Sequence, residues 1–204
     1  GAGSSSSKWH RKFPYVKKDR YGTPSSAWQN IAHLLPAQLR IWEPFWMDGA
    51  SGQYLRALGF TVHHENEDFF KIDQVGAQQR GDIVVSNPPF SRQKEVLRRL
   101  KDLGLPFVLI LEDTVQSTEY YHDIFGTDRP TVLSPQKRFG FVNEEGVQKG
   151  NPRTTPKYYF YKVPLPPDAQ PKCVEREKAV SKQPEPMEVE AMETAAGGGD
   201  VDKT

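Results

Sequence analysis

Residues 82–90 read DIVVSNPPF, and this stretch decides the fold class. Its first half is a continuous apolar run, which is typical of strands that are buried on both faces in parallel sheets. Its second half ends the strand abruptly, because two prolines donate no backbone hydrogen bonds and do not fit a central strand. The sequence therefore predicts a buried parallel strand that leaves the sheet through a stiff, extended peptide.

Strand and helix patterns alternate on both sides of this stretch. Upstream, residues 40–45 and 60–64 resemble strands, and a glycine loop and a short helix lie between them. Downstream, residues 91–103 carry one apolar helical face that ends at Gly104, and residues 107–111 form another buried strand. This alternation predicts an α/β fold with a mostly parallel sheet and helices on both faces.

Further elements are expected at the two ends of this region. Thr23 and Pro24 predict the start of a helix that ends before Pro36. A short helix around 120–125 and strands at 131–133, 139–142 and 158–163 complete the domain, with an antiparallel pair at the end of the sheet. The aromatic run 158–161 is interpreted as the packing of an edge strand.

The charge balance hides a division of the chain near residue 164. The whole sequence has 27 Lys and Arg against 26 Asp and Glu, but residues 164–204 hold nine acids, five bases and no aromatic residue. Such a composition is typical of disorder. We expect a flexible basic arm over 1–20, one folded domain over 21–163 and a disordered acidic tail over 164–204.

Several classes of protein are excluded or disfavoured. The single cysteine, Cys173, excludes an intrachain disulfide and a cysteine-based metal cluster. His63 and His64 are adjacent and so point to opposite faces of a strand, which disfavours a joint metal site. No apolar run approaches the ~20 residues of a membrane span. We therefore expect no metal and no membrane, and an intracellular protein of the nucleus or cytoplasm.

Two unusual peptides follow predicted strands, where ligands bind in open α/β sheets. Residues 43–52 read EPFWMDGASG, and residues 87–90 read NPPF. The Asn87 side-chain oxygen and the Pro88 carbonyl can accept both hydrogens of a planar amino group, and Phe90 offers a face for stacking. Each peptide also has an interpretation without a ligand. Residues 87–90 can be a strand-ending loop, and residues 43–52 can be a turn whose glycines permit positive φ. Glu112 and Asp113 end a later strand and either line the same cleft or form a turn.

The peptide at 87–90, the glycine loop that begins at Glu43 and the peptide at 68–70 together resemble a known family. They are similar to the S-adenosylmethionine-dependent amino-methyltransferases that modify N6 of adenine, over residues 21–142 in the same order. The resemblance implies a Rossmann-like methyltransferase sheet, S-adenosylmethionine as cofactor and a DNA or RNA substrate.

The resemblance also implies residue roles. The catalytic tetrapeptide is Asn87, Pro88, Pro89 and Phe90. The cofactor contacts are Tyr21, Thr23, Pro24, Glu43, Phe45, Gly49, Asp68, Phe69 and Asn87, with Glu65 as the nearest candidate for a ribose-binding acid. Two features depart from the family: Trp46, Met47 and Asp48 replace small loop residues, and relatives place a helix and a strand between the positions of His64 and Asp68.

Few segments of this sequence are candidates for recognising a substrate. Residues after 163 lack the apolar side chains for a further domain, so specificity comes from the small domain or from a protein partner. The nucleic-acid contacts that we expect, where basic and aromatic residues are interleaved, are Lys12, Lys17, Lys18, Arg20, Lys137 and Arg138. Solvated faces and core aromatics are the alternative interpretation of these residues.

Two other functions stay open. One is methylation of a protein glutamine amide, which also fits an Asn-Pro-Pro-aromatic pocket, although the basic arm and Phe90, where those relatives commonly have Tyr, argue against it. The other is a binding-only subunit that keeps the fold without the cofactor, as the altered loop at 46–48 suggests.

Overall fold

The computed structural model describes residues 19–143, 148–149 and 155–172. Its elements, in chain order, are α1 (Ser25–Gln29), β1 (Ile41–Trp42), α2 (Ala50–Ala57), β2 (Val62–His63), α3 (Gln74–Arg80), β3 (Ile83–Ser86), α4 (Gln93–Leu103), β4 (Phe107–Glu112), α5 (Glu119–Phe125), β5 (Thr131–Leu133), β6 (Phe141–Val142), β7 (Gln148–Lys149) and β8 (Pro156–Tyr161). Short 3₁₀ turns lie at Ala32–Leu34, Phe69–Lys71, Phe90–Arg92 and Asp113–Ser117.

Six strands form one mixed sheet in the order β2-β1-β3-β4-β8-β5. The pairs among β2, β1, β3 and β4 are parallel, whereas β8 is antiparallel to both β4 and β5. The expected α/β fold with a mostly parallel sheet and an antiparallel end is therefore confirmed. Strands β6 and β7 pair with each other in a separate two-stranded sheet.

The interpretation of residues 158–161 as an edge strand is wrong. Strand β8 lies between β4 and β5, and Tyr158 to Tyr161 are at most 2% exposed. Alternate residues point to opposite faces of a strand, so this all-aromatic run fills the core on both sides of the sheet. Whether a strand lies at an edge depends on distant pairing partners, which a local pattern does not contain.

Alternate residues of the strands divide the core into two layers. On one face Trp42, Val84 and Leu109 pack with side chains of α3, α4 and α5. On the other face Ile41 and Val108 pack with side chains of α1 and α2. Helices therefore cover both faces of the sheet, as the alternating pattern predicted.

Other boundaries differ from the expected ones. The first helix begins at Ser25 with Pro24 as its N-cap, so it starts later than expected and ends at Gln29. Helix α3 was not predicted; its sequence QVGAQQR has no apolar stripe, and Asp73 caps its start by accepting a hydrogen bond from the Gly76 amide at 2.7 Å. Packed chain also continues to Lys172, past the predicted boundary at 163, since Ala169 is buried and the Lys172 amide donates to the Asn30 carbonyl at 2.7 Å.

Candidate active site

The strand order creates a crevice between β1 and β3. The chain passes from β1 to β2 on one side and then returns across β1 to β3 and onward to β4 on the other side. Such a reversal separates the loops at the carboxyl ends of the two strands, and ligands of open α/β sheets bind there.

A polar residue directly follows each of the four parallel strands at this edge. Glu43 follows β1, His64 follows β2, Asn87 follows β3 and Asp113 follows β4. Among the described residues, six buried side-chain nitrogen or oxygen atoms have no hydrogen-bond partner, and three of them belong to His64, Asn87 and Asp113. Because buried polar atoms are normally bonded, these atoms favour this edge as the position of a ligand, although of the three residues only Asn87 lines the cleft there.

Glu43 links the ends of β1 and β3. Its side chain is 1% exposed, and its Oε1 accepts hydrogen bonds from the Ser86 hydroxyl at 2.5 Å and from the Phe45 amide at 3.0 Å. Burial raises the pKa of the Glu43 carboxyl to about 8, although both hydrogen bonds favour the charged form. The group therefore acts as a neutral acid at neutral pH and fixes Ser86 immediately before the tetrapeptide.

The tetrapeptide leaves the end of β3 with Pro89 in the extended form that the prolines predicted (φ −60°, ψ 123°), and Phe90 then begins a 3₁₀ turn. Pro88 and Pro89 are buried, whereas Asn87 and Phe90 are half-buried. The Asn87 Oδ1 atom is buried and has no hydrogen-bond partner among the described residues. Phe90 packs edge-on against Phe141, with 5.4 Å between ring centroids. A buried acceptor and an aromatic ring are thus held close together.

A cleft opens directly onto this peptide. It measures about 260 Å³ including its mouth, and its lining comes from three separate parts of the chain: Asp19, Tyr21, Met47, Asn87, Pro88, Pro89 and Phe90. The structure therefore brings Tyr21 together with the tetrapeptide, whereas the first loop enters the lining only through Met47, which was not among the predicted contacts. The Met47 backbone has φ 48°, an unfavourable conformation for a residue other than glycine.

Asp19 is a site residue that the sequence analysis missed. It is 6% exposed and accepts hydrogen bonds from the Ser91 amide at 2.9 Å and from the Ser91 hydroxyl. Gly22 and Val142 exchange two backbone hydrogen bonds of 2.7 and 2.8 Å, which hold the same segment beside the cleft. Asp19 is the only acid in the basic stretch 8–20, and this exception was the available signal.

The first loop packs inward rather than lining the cleft, apart from Met47. Phe45 is 2% exposed and contacts the ring of Phe69, with 5.1 Å between centroids. Trp46 stacks on His64 at 4.9 Å, and a Cβ at Gly49, where φ is 82°, would lie 3.0 Å from the Trp46 ring. The His64 Nδ1 lies 2.8 Å from the Glu43 carbonyl oxygen, and burial lowers the pKa of this imidazole.

The predicted contacts to the cofactor adenine and ribose lie elsewhere. Asp68 accepts a hydrogen bond from the Phe70 amide at 3.1 Å and so caps the following 3₁₀ turn. Phe69 is completely buried between Trp42 and Phe45, and Glu65 is exposed. The structure does not place these residues in the cleft lining, and the same holds for Thr23, which is buried, and for Pro24.

The predicted nucleic-acid contacts divide into two groups. Lys12, Lys17 and Lys18 lie outside the described residues. Arg20, Lys137 and Arg138 are exposed, and Arg138 donates a hydrogen bond to the Thr155 hydroxyl at 2.8 Å.

The described part of the chain lacks two further kinds of site. No group of three or more His, Cys, Asp or Glu side chains there is arranged to hold a metal ion. No helix in those ranges has the length and apolar composition that crossing a membrane requires.

Comparisons of the chain with protein-family models, curated proteins and solved structures found no match. The geometry of the cleft is therefore the basis for inferring the function of the chain.

Proposed function

We propose that this protein is an S-adenosylmethionine-dependent methyltransferase, built on a Rossmann-like sheet, that modifies the exocyclic N6 amine of adenine in DNA or RNA. The observation that carries the proposal is the buried, unpartnered Oδ1 of Asn87 in a cleft at the reversal point of the sheet. An acceptor of this kind needs a donor, and an amino group supplies one.

The chain's own residues fit the chemistry of an aromatic amine. The nitrogen of such an amine is a poor nucleophile because its lone pair is delocalised into the ring. Acceptance of its hydrogens by Asn87 Oδ1 and the Pro88 carbonyl favours a localised lone pair and fixes its direction. Phe90 offers a ring against which the base stacks. After transfer the cationic nitrogen loses its proton to one of these acceptors or to water.

The residues of the cleft suit one end of the cofactor better than the other. S-adenosylmethionine supplies an electrophilic methyl group on a positively charged sulfur. Tyr21 and Met47 line the cleft and would hold the methionine end there, which leaves the Asn87 oxygen for the target amine. Asp68 and Phe69, which the resemblance assigned to the adenine end, are engaged in a turn cap and in the core.

The size of the cleft favours a second candidate, the binding-only subunit. Ligand pockets usually enclose ~300–1,000 Å³, whereas the enclosed space of this cleft is only about 10 Å³. Cofactor binding therefore requires displacement of a lining side chain, of which Met47 is the most flexible. A protein that never binds the cofactor needs no such movement.

Two measurements test the proposal. Equilibrium dialysis with labelled S-adenosylmethionine detects cofactor binding. Methyl transfer is then assayed with mixed DNA and RNA pools and, in parallel, with glutamine peptides, and nucleoside mass spectrometry identifies the polymer and the modified atom. We expect saturable binding and N6-methyladenine. If neither cofactor binding nor N6-methyladenine is detected, the proposed enzymatic activity is wrong and the binding-only subunit is favoured. If methyl groups are transferred only to glutamine peptides, the substrate is a protein and not a nucleic acid.

The Asn87→Ala variant tests the role of Asn87, the residue on which the proposed function depends. Loss of one positioned transition-state contact costs ~3 kcal/mol, so we expect methyl transfer to fall by roughly 10²–10³-fold while cofactor affinity stays within about threefold. Asn66→Ala, outside the cleft lining, is the matched control and should retain the rate of the unmodified protein. Turnover of Asn87→Ala within threefold of the parent would contradict the assigned role.

A further inference from the structure

A second groove, lined by none of the predicted site residues, runs along α4. Its lining residues are Phe70, Arg92, Lys94, Glu95, Arg98, Arg99 and Asp102, which give four cations against two carboxylates. The groove is open and measures about 820 Å³ including its mouth. We call it the α4 groove.

The α4 groove begins close to the tetrapeptide along the chain, since its residue Arg92 follows Phe90 by two positions. Phe90 begins the 3₁₀ turn Phe90–Arg92, and Arg92 ends that turn at the N-terminus of α4. Arg92 and Asp102 are ten positions apart, which corresponds to about 15 Å along a helix. A polymer with one unit in the cleft therefore finds positive charge along its neighbouring units.

Two of the groove arginines are held in place. The Arg92 guanidinium lies 4.0 Å from the centroid of the Phe70 ring, and Arg99 donates a hydrogen bond to the Ile72 carbonyl at 2.5 Å. The Arg99 Nε is buried and has no hydrogen-bond partner among the described residues. Lys94 and Arg98 are exposed and, four residues apart, share one side of the helix.

We propose that the α4 groove binds the phosphate backbone of the nucleic-acid strand whose adenine enters the cleft. The choice of partner rests on the proposed function and on charge complementarity, since arginine and lysine side chains pair with phosphates. Phe70 contributes by holding the Arg92 guanidinium against its ring. The strand runs from the tetrapeptide along α4, and the carboxylates of Glu95 and Asp102 limit its affinity.

The test measures binding without methyl transfer. Fluorescence anisotropy with a labelled oligothymidylate, in the absence of cofactor and at 50–200 mM salt, reports backbone affinity alone. The double variant Lys94→Gln/Arg98→Gln should weaken binding roughly tenfold and reduce the salt slope by about 1.4, as expected for two phosphate contacts to a single strand. Glu95→Gln should strengthen binding by about two- to threefold, because it removes a carboxylate from the groove.

Arg129→Gln/Lys162→Gln is the matched control, since it removes two exposed cations outside the groove. Its affinity should stay within twofold of the parent, and urea midpoints of all variants should agree. Equal weakening by the two double variants, an unchanged salt slope, or displacement of the oligonucleotide by polyglutamate of equal charge would overturn the proposal. If binding depends on the groove but no methyl transfer is detected, the proposed methyltransferase activity is wrong, whereas nucleic-acid binding by the α4 groove is supported.

Discussion

Glu43 is the residue in which burial most strongly changes chemistry. A carboxyl group with a folded-state pKa of about 8, against 4.5 when unperturbed, binds a proton more tightly in the folded chain. Its contribution to the free energy of unfolding is therefore complete below pH 4.5 and is lost as the pH rises through 8. We expect this contribution to fall by up to ~1.4 kcal/mol per pH unit over that window.

The Glu43→Gln variant should remove this dependence, because glutamine does not titrate. Urea unfolding at pH 5, 6.5 and 8 measures the free energy of unfolding of both proteins. The parent should lose stability relative to Glu43→Gln as the pH increases. Glu65→Gln, at an exposed position, is the control and should follow the parent. A constant difference between Glu43→Gln and the parent across the three pH values would contradict a proton held by Glu43.

Asp19 is a positioning residue for the tetrapeptide. Its two carboxylate oxygens bind the amide and the hydroxyl of Ser91, the residue that follows Phe90. The Asp19→Ala variant should leave these donors unpaired, lower the free energy of unfolding by ~1–3 kcal/mol and accelerate hydrogen exchange of the Ser91 amide. Asp123→Ala, at an exposed position on α5, should change neither quantity. Unchanged protection of the Ser91 amide in Asp19→Ala would count against this role.

At the scale of elements, the local order of apolar residues correctly predicted the strands and helices whose positions depend on that order alone. The apolar runs that became β3 and β4, the apolar stripe of α4 and its end at Gly104, where φ is 70°, are all visible in the sequence. Helix α3 was missed because its stability comes from a cap and from one buried residue, Ala77, rather than from a stripe.

The parts of the site that were missed depend on contacts between distant residues. The bond between Glu43 and Ser86 joins residues 43 positions apart, and the bond between Asp19 and Ser91 joins residues 72 apart. Their formation requires the register of β1 against β3 and the path of the upstream peptide. The tetrapeptide was recognisable because its prolines constrain the backbone without any partner.

The junction of α2 with the chain after β2 gives a prediction for elements. A Cβ at Gly52 would lie 2.7 Å from the Cβ and Cγ of His64, which is fixed by its stack on Trp46 and its contact with the Glu43 carbonyl. Alanine is the better helix former by ~1 kcal/mol, but overpacking costs ~1–3 kcal/mol or more. We expect Gly52→Ala to lower the urea midpoint and Ser51→Ala, in the same helix, to leave it nearly unchanged. A higher midpoint for Gly52→Ala would show that α2 moves away freely.

At the scale of the whole molecule, the sheet couples two core layers that share no helix. Trp42 lies in the layer with α3, α4 and α5, and Trp28 lies in the layer with α1 and α2. Adjacent residues of one strand, Val108 and Leu109, belong to different layers. Loss of β4 therefore exposes both layers at once, and we expect the domain to unfold in one transition.

Leu109→Ala tests this coupling from one side. Removal of a fully buried leucine usually costs ~2–5 kcal/mol. In protein labelled with 5-fluorotryptophan, the ¹⁹F resonances of Trp28 and Trp42 report the two layers separately during urea titration. Both resonances should lose native intensity at the same, lowered urea concentration, although Leu109 packs only in the layer of Trp42. Gln53→Ala, exposed on α2, should leave both midpoints in place. If the Trp42 signal disappeared before that of Trp28, the two layers would be independent, and the cleft at their common edge could open without global unfolding.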